Sequence, residues 1–178
     1  NQVIGDRSFG TDPEKVAKMV AEAVRGFHDS QIRTAVKHFP GHGNTVEDSH
    51  REFAYNYSTK EELEKGEWKP FEAGIEEQSE FVMVGHICCP NIISEETPAS
   101  LSEELVTDIL RNEMGFDGII ITDAMDMGAV TAHYSCGEAA VRTLEAGADM
   151  ILMPEDFQEA YEAVLQAVRD GRISEEQI

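Results

Sequence analysis

Gly118 to Thr122 reads GIIIT, a run that is apolar at successive positions rather than alternate ones. A strand of that kind needs cover on both faces, the condition of a parallel sheet packed between helices. Thr34 to Phe39, Phe81 to Ile87 (FVMVGHI) and Asp149 to Met153 (DMILM) predict three more such strands. Amphipathic helices separate them. The first is predicted to start at Asp12-Pro13, a cap residue followed by proline at the first helical position. It places Val16, Met19, Val20, Ala23, Val24 and Phe27 on one face. A short helix is predicted over Pro70 to Glu77, and Ser100-x-x-Glu103 reads as a capping box opening a helix with Leu105, Ile109 and Leu110. Another helix is predicted over Gly137 to Glu145. The last is expected to bury Phe157, Tyr161, Val164, Leu165 and Val168, with Gly171 as its stop. About four β/α units in a row predict an α/β fold built on a parallel sheet.

A length of 178 residues suits one domain with a sizeable core. Both ends read as cut. Gln2-Val-Ile-Gly resembles the end of a strand, and Ser174-x-x-Gln177 is a helix-start signal with almost no helix after it, so the chain is expected to be a piece. Lysine and arginine number 14 against 35 acids, a net charge of -21. That balance repels phosphate backbones and anionic bilayers, which argues against nucleic acid and membrane partners. No apolar run approaches the roughly 20 residues that span a bilayer. The three cysteines, with Cys88 and Cys89 adjacent, form no disulfide framework and no metal spacing. The compartment, cytoplasmic or exported, stays open.

The polar residues gather where a parallel α/β fold puts its sites, beyond the carboxyl ends of strands. Lys37 and His38 end one predicted strand, His86 the next and Asp123 a third, and Arg7 follows the predicted first strand end. Each alone has an ordinary structural reading; their agreement points to a site. A carboxylate at the mouth of the GIIIT strand suits a nucleophile or a general base, or else the N-cap of the following MDMGAV segment. Residues 41 to 50 (GHGNTVEDSH) form a loop, because two glycines and a preceding proline break regular structure. Asp48 lies one residue from His50, near enough to fix the ring's tautomer and raise its basicity; a charged loop decoration is the alternative. His38, His42, Asp48 and His50 include metal-ligand types, but their spacings match no compact site, and neither a metal nor any other cofactor is expected.

Taken together these residues resemble glycoside hydrolase family 3, in particular its bacterial β-N-acetylglucosaminidase branch. The resemblance runs through VIGDRSFG (3–10), KHFPGHGNTVEDSH (37–50), PASLS (98–102) and GFDGIIITDAMDM (115–127). It implies a TIM barrel of which this chain holds the C-terminal portion, one partial catalytic domain over residues 1–178 whose opening strands lie before Asn1. It implies Asp123 as nucleophile, His50 polarised by Asp48 as general acid and base, and Arg7, Lys37 and His38 as ligands of the N-acetylated sugar. The substrate class it implies is carbohydrate, with peptidoglycan fragments the usual source. Asn44 departs from the family pattern, which commonly has aspartate there. An open half-barrel would expose sheet edges and apolar surface, so self-association, or a folded but inactive piece, is expected.

Rival readings remain. A β-glucosidase or β-xylosidase of the same superfamily usually lacks the Asp-x-His loop, so the DSH sequence favours the acetylglucosaminidase branch. A phosphorylase is compatible, because an imidazole tolerates an incoming phosphate better than a carboxylate does. A non-catalytic fragment that binds sugar or a partner, and a receiver-like domain with Asp123 as phospho-acceptor, complete the set.

Overall fold

The computed structural model describes residues 4–45, 53–93 and 96–178. Gln2, Asp48 and His50 therefore lie outside the described residues. Five strands are present: β1 (Ala35–Phe39), β2 (Ala54–Tyr55), β3 (Phe81–Val84), β4 (Ile87–Cys88) and β5 (Ile119–Thr122). A parallel sheet runs in the order β1-β3-β5, with Ala35 opposite Phe81 and Phe81 opposite Ile119. β2 and β4 form a separate parallel pair. Parallel neighbours joined through helices give the β/α arrangement of a barrel wall.

Helix α1 (Pro13–Asp29) begins as expected: the Asp12 carboxylate accepts from the Glu14 and Lys15 amides. α2 (Lys60–Lys65) carries a complete capping box between Thr59 and Glu62. α3 (Lys69–Glu76) packs between α1 and β1. A Cβ on Gly74 would stand 2.6 Å from Val36 Cγ1 and 3.4 Å from Val20 Cγ1, so only glycine admits this approach. The main core joins Phe39, Val82, Val84 and Ile120 of the sheet to Trp68 and Phe71, and to Leu105, Val106, Ile109 and Leu110 of the π-type helix Glu104–Glu113.

Several local expectations give way to tertiary contacts. The FVMVGHI run is two strands: β3 stops at Val84, and Ile87–Cys88 turn away to pair with β2. Burial on β3 alternates, Val82 and Val84 being buried while Phe81 and Met83 are half-buried, so cover is complete on one face only. Ser100 does not cap the following helix. Its hydroxyl is taken by His86, and Ser102 Oγ accepts from the Leu105 amide instead. The DMILM segment forms no regular strand: it meets β5 through the isolated Ile121–Met150 bridge and a few further hydrogen bonds. The Asp149 carboxylate takes the Ile120 amide, and the Thr122 hydroxyl takes the Leu152 amide, so side chains occupy ladder positions.

The last helix, Phe157–Arg169, buries Ala160 and Ala167 rather than its aromatics. Phe157 is 75% exposed and Tyr161 59%, stacked on one another. On α1 only Val24 is buried, with Met19 and Phe27 about half exposed. A hydrophobic stripe records which face seeks cover; the described residues do not cover these two.

Candidate active site

Lys37 and His38, adjacent in β1, line a cavity of about 1140 Å³, along with Arg7 and His42. Strict alternation would send neighbouring side chains to opposite faces of the sheet. Here the pairing is irregular: a bulge sets Lys37 opposite Met83 and Phe39 opposite Val84, leaving His38 outside the register. The Lys37–His38 and Phe39–Pro40 peptide bonds are both cis. Phe39 then turns into the core against Trp68 and Phe71.

Asp123 follows β5 directly. Its amide donates to the Val84 carbonyl (2.8 Å) and its Oδ1 accepts from the Ala124 amide (2.9 Å), so the residue is fixed to both β3 and its own turn. The next helix begins only at Gly128, with Met127 at its cap, which removes the N-cap alternative for Asp123. His38 Nε2 lies 3.6 Å from Asp123 Oδ2. That is too long for a hydrogen bond but close enough for strong electrostatic coupling in a buried setting.

His86 braces the same turn from beneath. Its Nε2 lies 2.9 Å from the Ala124 carbonyl and its Nδ1 2.8 Å from Ser100 Oγ. A carbonyl can only accept, so Nε2 carries the proton and the Ser100 hydroxyl donates to Nδ1. Both contacts suit a neutral ring, and burial, the largest influence, lowers the pKa of His86. A chain of bonds therefore runs from Ser100 through His86 to the backbone beside Asp123.

The turn after β1 is equally constrained. The Trp68 indole donates to the Pro40 carbonyl, and the Gly41 amide to the His38 carbonyl. Thr45 Oγ1 lies 3.1 Å from the His42 carbonyl, to which it can only donate, so His42 Nδ1–H donates to Thr45 Oγ1. The His42 ring meets the His38 ring edge-on at 5.9 Å.

Burial pushes the pKa of His38 down to about 4, with the positive charges of Lys37 and Arg7 acting in the same direction and Asp123 opposing them. Its Nδ1 is buried without a hydrogen-bond partner among the described residues, a position tolerable only for an uncharged nitrogen. His38 is therefore neutral at pH 7. The unfolded chain's imidazole protonates first as pH falls, so the folded state loses stability from about pH 6.5 down to about 4. Urea unfolding across that window should show a steeper fall for the native sequence than for His38→Gln. Equal slopes would show that the ring is not held neutral.

Arg7, Lys37, His38 and Asp123 are thus brought around one region, on three segments far apart in sequence. Arg7 sits in the turn Gly5–Arg7, exposed, with its Nε donating to the Ile4 carbonyl. Asp48 and His50 lie outside the described residues. Two residues escaped sequence reasoning: Glu67 and Asn56, which together grip the Gly41–Asn44 backbone. No local pattern marks them, since a glutamate before a helix reads as surface charge.

A sequence model of the glycosyl hydrolase family 3 N-terminal domain matches residues 1–178. A curated Beta-hexosaminidase of Stenotrophomonas maltophilia (strain K279a) is 40% identical over 169 residues, which cover 92% of this chain and 49% of that protein. The chain spans about half the length of the curated relatives it matches. Among solved structures, a glycoside hydrolase family 3 beta-N-acetylglucosaminidase from Paenibacillus sp. str. FPU-7 is similar at TM-score 0.96 and 44% identity, covering 99% of this chain and 34% of that one. A beta-glucoside phosphorylase, BglX, is similar at TM-score 0.90 and 31% identity, covering 96% and 32%.

Proposed function

The chain belongs to glycosyl hydrolase family 3, and from that premise we propose that it is part of the catalytic domain of a retaining glycosidase removing terminal β-linked N-acetylglucosamine. The observation that carries the reading is Asp123: a carboxylate held by backbone bonds at the mouth of β5, 3.6 Å from a buried neutral histidine. Retention requires a carboxylate on one face of the anomeric carbon and a proton donor beside the leaving oxygen. Asp123 attacks the anomeric carbon as His50, polarised by Asp48, protonates the departing oxygen. The glycosyl ester so formed is opened by water, from which the now neutral His50 takes a proton. Arg7, Lys37 and His38 hold the sugar's hydroxyls and amide.

The names of the curated relatives and of the Paenibacillus structure support N-acetylglucosaminides as the substrate class. Peptidoglycan fragments are the source that the family resemblance implies. The likeness to a solved phosphorylase favours one second reading, in which phosphate replaces water in the second step. Side-by-side assays of the full-length gene product on aryl N-acetyl-β-glucosaminide and aryl β-glucoside, with and without phosphate, separate these. The expected result is a preference for the N-acetylated sugar of on the order of 10,000-fold, the scale of a site whose hydrogen-bonding groups are left unpaired by a competitor lacking the group. Preference for the glucoside overturns the substrate, and sugar phosphate as the main product overturns hydrolysis.

A further inference from the structure

We infer that Glu67 is a positioning residue for this chemistry, acting through the turn that joins β1 to residues 48 and 50; the inference rests on the proposed role of His50. One carboxylate organises the whole turn. Glu67 Oε1 accepts from the Gly43 amide (2.8 Å) and the Asn44 amide (3.2 Å), and Oε2 accepts from Asn56 Nδ2 (2.8 Å) and Asn44 Nδ2 (3.4 Å). Successive backbone amides converging on an anion form a nest, a device that elsewhere holds phosphate. Here the anion is the protein's own.

The spacing of the glycines follows from this. A Cβ on Gly41 would lie 2.8 Å from Glu67 Cβ, and one on Gly43 would lie 2.9 Å from Glu67 Oε1. Gly41 also has φ +134, a conformation that L side chains rarely adopt. The Gly-x-Gly pattern therefore lets the main chain wrap the carboxylate at contact distance. Asn56, fully buried, secures the other side by donating to the Gly41 carbonyl, while its own amide donates to Cys88. Asn44 completes the arrangement: its amide donates to Glu67 where an aspartate would set two carboxylates against each other. Between the two gripped glycines sits His42, edge-on to His38. After Thr45 the chain leads on to the proposed acid/base.

The test uses the full-length gene product and two aryl N-acetylglucosaminides, one with a dinitrophenyl leaving group and one with an unactivated phenol. Glu67→Ala should lower kcat/KM on the unactivated substrate by about 30- to 100-fold and kcat/KM on the dinitrophenyl substrate by less than about 5-fold, the cost of a misplaced catalytic group. On the dinitrophenyl substrate kcat and KM should fall together, because the glycosyl ester accumulates when its hydrolysis slows. Glu67→Gln keeps an acceptor for the two backbone amides but sets its Nε2 against the Asn56 Nδ2 donor, so it should recover part of the loss. Glu67→Ala added to His50→Ala should cost less than about 2-fold more, because both act on one step. A variant that merely folds poorly loses both substrates in proportion. Equal loss on both substrates, or none, while His50→Ala discriminates between them, overturns the role of Glu67 alone. If His50→Ala does not discriminate, the acid/base reading fails and this inference falls with it.

Discussion

Asp123→Asn should reduce turnover by at least about four orders of magnitude while leaving the protein folded, the scale on which removal of a nucleophile is felt. Asp123 Oδ1 accepts a single backbone amide, from Ala124, and an asparagine carbonyl can do the same. The backbone bond from the Asp123 amide to Val84 does not involve the side chain. Thermal unfolding should therefore shift little. What is lost is the second oxygen and the charge, the part that would form the glycosyl ester. Asp123→Ala makes the prediction stereochemical. Azide added to that variant should enter from the face the carboxylate vacated and yield the α-glycosyl azide, the inverted product. A variant that keeps more than about a tenth of normal turnover, or yields only the β-azide, removes Asp123 from the nucleophile's role.

The second large effect is expected at His50. General acid catalysis contributes about 100- to 10,000-fold where the leaving group needs a proton and little where it does not. His50→Ala should show that split in kcat/KM between an unactivated and a dinitrophenyl N-acetylglucosaminide. For dinitrophenyl the slow step should become hydrolysis of the glycosyl ester, which azide accelerates to give the β-azide. Asp48→Asn should act the same way with a smaller loss, since it tunes the imidazole without replacing it. Losses of the same size on both substrates would mean that His50 binds sugar and does not transfer the proton.

Much of the site was readable in the linear chain because its residues sit at strand ends. His38 closes β1, His86 follows β3 and Asp123 follows β5, and the sheet order makes them neighbours. Glu67 was not readable. Nothing in Gly66-Glu67-Trp68 distinguishes it from a solvated charge, and its importance arises from backbone amides about two dozen residues earlier in the chain. Nor was the bulge at His38, where the pairing with β3 skips a residue. A period-two reading of a strand assumes regular pairing, and the partner strand decides whether pairing is regular.

The misread helices carry the same lesson. Ser100 has the right spacing for a cap, but a hydroxyl forms few bonds and the buried imidazole of His86 claimed it. Phe157 and Tyr161 mark an apolar face correctly and yet are exposed.

The order of most helices and strands and the parallel direction of the sheet were determined by sequence alone, and the catalytic candidates could be nominated from it, because these depend on local sterics, on the periodicity of apolar side chains and on short polar motifs. Tertiary structure decided which hydroxyl caps, which glutamate holds a turn, which histidine stays neutral and which stripes find cover. Those outcomes depend on the desolvation of polar groups by partners distant in sequence, and a group's partner exists only once the chain has closed around it.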